Sequence, residues 1–188
     1  MITDIIINRS EGNISIHTAT EAVKDDYIAF EMEGELIQSL ISVGDDKQID
    51  VRSIIWEERY NSDCIMFYIV ENKSHKIVGF CEIEHLSTDE PTIGITISKE
   101  YRGKGYGYLS AKAMIEECWK IFEYPYFVWE VDQDNIASKS LALKLGGELM
   151  NKRCILPEHM VRVMRENGIE INPDNFPNSV ERYKIKRS

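Results

Sequence analysis

The sequence predicts an α/β fold: a mixed, mostly antiparallel central sheet of about seven strands, flanked by helices. Three observations carry this. Two runs rich in β-branched and aromatic residues, Ile65–Val70 and Ile77–Leu86, flank the turn-forming Asn72-Lys73-Ser74-His75-Lys76, which reads as an antiparallel hairpin. A third apolar run, Ile93 to Ile97, passes through a glycine-rich loop into a long amphipathic segment. Elsewhere, helical stripes and short strands alternate with no internal repeat and no linker long enough to divide the chain. Its 188 residues are therefore expected to form one domain, 1–188, large enough to bury a proper core.

Residues 4–18 read as a strand or small hairpin around Glu11-Gly12-Asn13, with Ile14 and Ile16 alternating with Ser15 and His17. Thr20 suits an N-cap, and Val23, Tyr27 and Phe30 follow at helical spacing up to Gly34. Further helical stripes are expected over 36–41 and 51–55, with Trp56 off the second stripe as core packing. After the hairpin, Thr88-Asp89-Glu90-Pro91 turns the chain into Ile93–Ile97. The next helix spans about Gly105 to Phe122, burying Tyr108, Ala111, Ile115, Cys118, Trp119 and Phe122. Lys112, Glu116 and Lys120 lie four apart on its opposite face. Tyr126–Val131 is an apolar strand, Ser138, Leu141 and Leu145 mark a helix closed by Gly146-Gly147, and Glu148–Arg153 is a strand. Pro157 opens a helix with Met160, Val161 and Met164 on its apolar side, and Val180–Arg187 closes the sheet.

Composition narrows the function. No apolar run approaches the ~20 residues of a membrane span. The apolar Ile5-Ile6-Ile7 has no basic flank, so no signal peptide is expected and the cytoplasm is the expected compartment. Cys64, Cys81, Cys118 and Cys154 show no C-x-x-C pairing and read as buried thiols of a reducing compartment; the four histidines are scattered, so no metal site is expected. Net charge is −10, unevenly spread: residues 1–100 carry 20 acidic and 8 basic side chains, residues 101–188 carry 12 and 14. The acidic front half suits a cationic partner and disfavours nucleic acid, whereas the less acidic back half suits an anionic ligand.

The glycine-rich stretch gives that anion a place. Arg102-Gly103-Lys104-Gly105-Tyr106-Gly107 follows a strand and opens a helix. The first N–H groups of a helix lack intrahelical partners and sit at the positive end of its dipole, which favours phosphate. The pattern is neither G-x-x-x-x-G-K-[ST] nor G-x-G-x-x-G. The spacing Arg102-x-x-Gly105-x-Gly107 instead resembles the acetyl-CoA pyrophosphate loop of the GNAT superfamily of N-acetyltransferases. A second block, Asn135-Ile136-Ala137-Ser138 after a strand, then Leu145-Gly146 at a helix end, is similar to that superfamily's downstream block and most to its RimJ/RimL-like branch.

The resemblance implies the GNAT fold, splayed between its fourth and fifth strands, and acetyl-CoA as co-substrate. It implies that backbone groups of Ile97 and Lys99 pair with the pantetheine arm. Arg102, Gly103, Lys104, Gly105 and Gly107 would surround the pyrophosphate, Asn135 would bond the cofactor arm, and Ser138 would sit near the sulfur or the neighbouring phosphates. Two departures stand out. Relatives in the branch often place a glutamate just before Ile-Gly on the fourth strand, where this chain has Thr92, and many carry a tyrosine where it has Ala142.

An amine with a pKa of ~10 must lose a proton before attacking the thioester, so a carboxylate or carboxylate-held water is useful as base. The candidates are Glu82 and Glu84, on one face of a strand, Glu130 and Glu90. A backbone N–H near Ile97 would stabilise the oxyanion, and Ser138 would supply the leaving-group proton. The expected reaction is acetyl transfer from acetyl-CoA to a primary amine: a polyamine, an aminoglycoside-like cation or a protein N-terminus. The alternative is an acetyl-CoA-binding sensor without turnover. The segment 154–179 is expected to shape the acceptor site or a dimer contact in a monomer or homodimer.

Overall fold

The computed structural model of the chain describes residues 5–32, 56–57, 60, 63–154 and 179–187. The helices expected over 36–41, 51–55 and after Pro157 lie outside them. The chain forms two compact units, residues 1–123 and residues 124–188.

The first unit holds five antiparallel strands in sequence order: β1 (Asn8–Glu11), β2 (Ile14–Thr18), β3 (Cys64–Glu71), β4 (Lys76–Glu84) and β5 (Thr92–Ile97). Gly12 turns β1 into β2 at φ +59, a left-handed conformation that glycine takes without penalty. That hairpin raises the count among the described residues to eight strands rather than about seven. Opposed residues share a face of the sheet. Ile65, Ile83 and Ile93 align on one face, and Cys64, Met66 and Phe80 lie on the other.

The second of these faces is covered by α1 (Lys24–Met32) and the single 3-10 turn Glu21–Val23 before it. Val23, Tyr27 and Ile28 pack there with Trp56, Met66 and Phe80. Trp56 stacks on Tyr60 at 4.8 Å, meets Tyr27 edge-on, and donates its indole N–H to Glu21 Oε1 at 3.0 Å. Thr20 stands at the cap position but contributes its carbonyl, to Val23 N–H at 3.0 Å, rather than a side-chain bond.

The long helix α2 (Tyr106–Ile121) packs on β1, β2, β4 and β5. Ala111, Ile115 and Cys118 are buried as the periodicity predicts, but Tyr106, Ser110 and Met114 complete the stripe, and Tyr108, Trp119 and Phe122 are only half-buried. The buried stripe begins two residues earlier than expected, at Tyr106, and ends at Cys118. The expected Lys112–Glu116 pair forms at 3.1 Å. Lys120 turns instead to Glu117 at 2.7 Å, since Glu116 is drawn to Arg9 at 2.5 Å. Arg9 also reaches Glu117 at 3.0 Å and Glu11 at 2.9 Å, tying β1 to α2. Bonds from Arg9 and then Lys112 hold the Glu11 carboxyl below its ordinary range; Lys120 and then Arg9 do the same for Glu117. At Glu116 burial pulls the other way, but the Arg9 and Lys112 bonds outweigh it and the net shift is again downward.

The second unit contains β6 (Tyr126–Asp132), α3 (Ile136–Lys144), β7 (Glu148–Cys154) and β8 (Ser179–Lys186), with β8 antiparallel to both β6 and β7. Its core includes Phe127, Val128, Trp129, Ala142, Val180, Tyr183 and Ile185. Glu181 is buried and neutralised by Lys139 at 2.6 Å, with the Tyr183 hydroxyl donating at 2.5 Å. The α3 helix ends at Gly146-Gly147, where the Gly147 N–H returns to Ala142 O at 2.9 Å. Cys64, Cys81 and Cys118 are buried thiols outside any disulfide, and Cys154 is half-buried. Burial pushes the Cys81 thiol well up, and burial followed by the charge of Glu117 pushes Cys118 up to about 12. Among the described residues no helix is long and apolar enough to cross a membrane.

Candidate functional site

The glycine-rich loop is built from the end of β5 to the start of α2. Ser98 N–H bonds to Val78 O at 2.9 Å, so by antiparallel alternation the Ile97 N–H and C=O point away from β4. A 3-10 turn, Lys99–Tyr101, then leads to Arg102. The Arg102 Nε donates to Ile97 O at 2.9 Å, folding the loop back on the strand. Gly103 and Gly105 take φ of +75 and +84, and a Cβ at either would meet no atom within 4 Å. Neither glycine is there to relieve crowding; each supplies a backbone angle that L side chains avoid.

Gly105 is the N-cap of α2 and has no side chain with which to cap it. The first helical bond runs from Leu109 N–H to Gly105 O at 3.2 Å, so the N–H groups of Tyr106, Gly107 and Tyr108 precede the helix ladder. Lys104 holds its ammonium 4.5 Å over the Tyr101 ring, and Tyr101 stacks on Tyr106 at 6.4 Å. Tyr106 donates its hydroxyl to Glu71 Oε1 at 2.5 Å, bracing the loop against the end of β3. Glu71 also accepts from Ser74 Oγ at 2.6 Å; these two bonds, Ser74 first, lower its carboxyl, while the bond to Glu71 raises the Tyr106 phenol. The loop thus offers successive backbone N–H groups, a helix dipole and two basic side chains, the chemistry a pyrophosphate requires.

The carboxylate candidates separate. Glu82 and Glu84 lie half-buried on the α1 face of β4, opposite Gly94 and Thr92 of β5. A Cβ on Gly94 would stand 2.5 Å from Glu82 Oε1, so the missing side chain there gives the glutamate its room. His85, which sequence reasoning passed over, follows at φ +59 and shares a 2.9 Å hydrogen bond between Nδ1 and Thr92 Oγ1. Glu90 is half-buried in the β4–β5 turn, and its N–H goes to Thr88 Oγ1 at 3.2 Å. Glu130 on β6 has both oxygens engaged, by Arg153 at 2.6 Å and Arg182 at 2.9 Å, which makes it an ion-pair residue of its own strand layer.

In the second unit Asn135 is the N-cap of α3: its Oδ1 accepts from Ser138 N–H at 3.0 Å. The Ser138 Oγ accepts from the Trp129 indole N–H at 2.9 Å. Sequence spacing could not show that contact, because it joins the interior of β6 to the first turn of α3. No group of metal-binding side chains occurs among the described residues.

The family model for the GNAT acetyltransferase domain matches residues 18–148, more than half of the chain. The chain belongs to the GNAT acetyltransferase family. No curated protein sequence matches it. Solved structures similar to this GNAT chain include RimL, a ribosomal α-N-protein acetyltransferase in complex with coenzyme A: 16% identity, TM-score 0.66, covering 97% of this chain and 98% of that one. Ribosomal-protein-S5-alanine acetyltransferase from Vibrio fischeri matches at 12% identity and TM-score 0.66, over 96% of each chain. A spermidine N-acetyltransferase chimera, from Vibrio cholerae SpeG and hSSAT, matches at 12% identity and TM-score 0.65, over 93% of this chain and 96% of that one. Identities this low speak to the fold alone. The mixed α/β architecture stands, and as a GNAT acetyltransferase the chain is an acyltransferase of a family that uses acetyl-CoA.

Proposed function

We propose that this chain moves an acetyl group from acetyl-CoA to a cationic primary amine by direct attack on the thioester. The observation that carries the reading is the α2 N-terminus, where Gly105 at φ +84 leaves backbone N–H groups ahead of the helix ladder between Arg102 and Lys104 and the first turn. In this reading Arg102, Gly103, Lys104, Gly105 and Gly107 hold the pyrophosphate. Backbone groups of Ile97 and Lys99 pair with the pantetheine arm; the Ile97 N–H points away from β4 and is suited to it, while the Ile97 carbonyl also accepts from Arg102 Nε. Asn135, its Oδ1 used as a helix cap, offers its amide nitrogen to the cofactor arm, and Ser138 hydrogen-bonds the departing sulfur.

The proton-accepting group is Glu82 or Glu84, acting directly or through a held water; Glu130 is less suited because two guanidinium groups already hold it. The excess of acidic side chains in residues 1–100 supports a cationic acceptor, a polyamine, aminoglycoside-like amine or protein N-terminus. Calorimetry with acetyl-CoA, followed by a thiol-release panel of spermidine, an aminoglycoside and peptides with free N-termini, tests it. Binding and turnover with at least one amine are expected. Binding with no turnover on any amine would favour the sensor reading, and absence of binding would refute both.

A further inference from the structure

We propose that Trp129 is a positioning residue for the acyl-transfer chemistry: its buried indole N–H fixes the Ser138 hydroxyl as a hydrogen-bond donor to the departing CoA sulfur. The inference rests on the reading of Ser138 given above and adds a residue to it. Trp129 is 2% exposed, in the core of the second unit, and its Nε1 lies 2.9 Å from Ser138 Oγ. An indole nitrogen is a donor only, so the direction of this bond is fixed: Ser138 Oγ accepts. A serine hydroxyl has one proton and two lone pairs. With one lone pair filled by the indole, its own proton must point elsewhere.

The rest of Ser138 is equally constrained. Its backbone N–H is held by Asn135 Oδ1 at 3.0 Å, which fixes the first turn of α3. The side chain is held by Trp129 from β6, a strand paired along its whole length with β8. The hydroxyl torsion is the remaining freedom. A bound thiolate therefore meets a hydroxyl whose proton is free to turn to it, and the chain N–H···O–H···S strengthens each bond in it. No proton crosses from serine, whose hydroxyl is a weaker acid than a thiol of pKa ~8.5. The C–S bond breaks with its electron pair on sulfur, the Ser138 hydroxyl hydrogen-bonds that charge, and the thiolate takes its proton from solvent afterwards. Because neither indole nor serine titrates in the working range, the arrangement persists across it.

A buried tryptophan also needs a partner for structural reasons alone, and the experiment separates the two roles. Trp129→Phe, Ser138→Ala and the double variant are compared by steady-state acetyl transfer and by thermal melting. The expected result is a fall in kcat of about tenfold for each single variant, little change in KM for acetyl-CoA, and a double variant no slower than Ser138→Ala. Undiminished kcat in Ser138→Ala would overturn the Ser138 reading itself. A slowed Ser138→Ala beside a Trp129→Phe of full activity, or losses that multiply in the double variant, would overturn the role of Trp129 and leave Ser138 in place. If Trp129→Phe melts markedly lower, Trp129→benzothienylalanine keeps the bicyclic shape and removes only the N–H, and the same outcomes decide.

Discussion

The two ends of β5 are built on different principles. At its C-terminal end the loop to α2 works through backbone: Gly103 and Gly105 at positive φ, N–H groups ahead of the helix ladder, and an arginine folded onto Ile97 O. At its N-terminal end, around Thr92 and Gly94, side chains gather instead: Glu82 and Glu84 of β4 lie opposite Gly94 and Thr92, and His85, just after β4, bonds to Thr92 Oγ1. A backbone site depends on dihedral angles and is indifferent to most neighbouring side chains. A side-chain site can change partner by exchanging a few residues while the strands stay put. The comparison fits a loop that keeps the expected glycine spacing beside a strand end where Thr92 stands in place of an expected glutamate.

The largest test of that contrast is Gly105→Val. A β-branched residue is an outlier at φ +84, and its Cβ would meet no protein atom within 4 Å, so the substitution strains the backbone angle without crowding the protein there. Acetyl-CoA affinity should fall by at least about a hundredfold, ~2.7 kcal/mol, with an unchanged circular dichroism spectrum; a folded variant of normal affinity breaks the backbone half of the comparison. On the other side, Glu82→Gln and Glu84→Gln should leave calorimetric acetyl-CoA binding intact while one of them lowers kcat by roughly a hundredfold. Equal activity in both would remove the proton-accepting role from this face.

Smaller effects sharpen the picture. Tyr106→Phe deletes the hydroxyl that braces the loop on Glu71 and should raise KM for acetyl-CoA by roughly three- to tenfold, within the worth of one hydrogen bond to a charged group. The kcat should move little, because the brace sits at the phosphate end. Smallest is the acid response of the Arg9 cluster. Glu11, Glu116 and Glu117 all titrate below their ordinary value in the folded chain, so their contribution is complete above about pH 4.5 and is lost as pH falls through the depressed values. After allowance for solvent screening it amounts to about 1 kcal/mol. Arg9→Met should flatten that limb of the acid-melting curve; an unchanged limb would place the acid sensitivity elsewhere.

What could be read from the sequence follows the same division. Strand alternation at Ile65–Val70 and Ile77–Ile83, and the glycine spacing at 103, 105 and 107, are local patterns, and local backbone preference writes them directly into the chain. The phase of α2 is harder to read: Tyr108 and Tyr106 are chemically equal in sequence, and the bond from the Tyr106 hydroxyl to Glu71 joins residues thirty-five apart. Arg9 takes Glu116 from Lys120 across more than a hundred residues, and the Trp129–Ser138 bond needs β6 and α3 already packed. Thr20 looked like a side-chain cap, but a single 3-10 turn needs only its carbonyl. His85 gave no sequence signal, since its φ of +59 follows from the turn that Thr88 closes onto its carbonyl at 2.8 Å.

The burial of the cysteines bears on how the chain can be assayed. Colorimetric disulfide reagents detect free coenzyme A by exchange with thiolate, and a protein's own thiolates give a false signal. Burial, followed by the charge of Glu117, holds the Cys118 thiol well above its ordinary range, so it stays protonated at pH 8; Cys81 is buried and shifted the same way, and Cys64 is shielded in the α1 core. Among the described cysteines only Cys154 is accessible enough to contribute a background. A Cys154→Ser enzyme should therefore give a nearly flat baseline, so that the colour developed records the released coenzyme A.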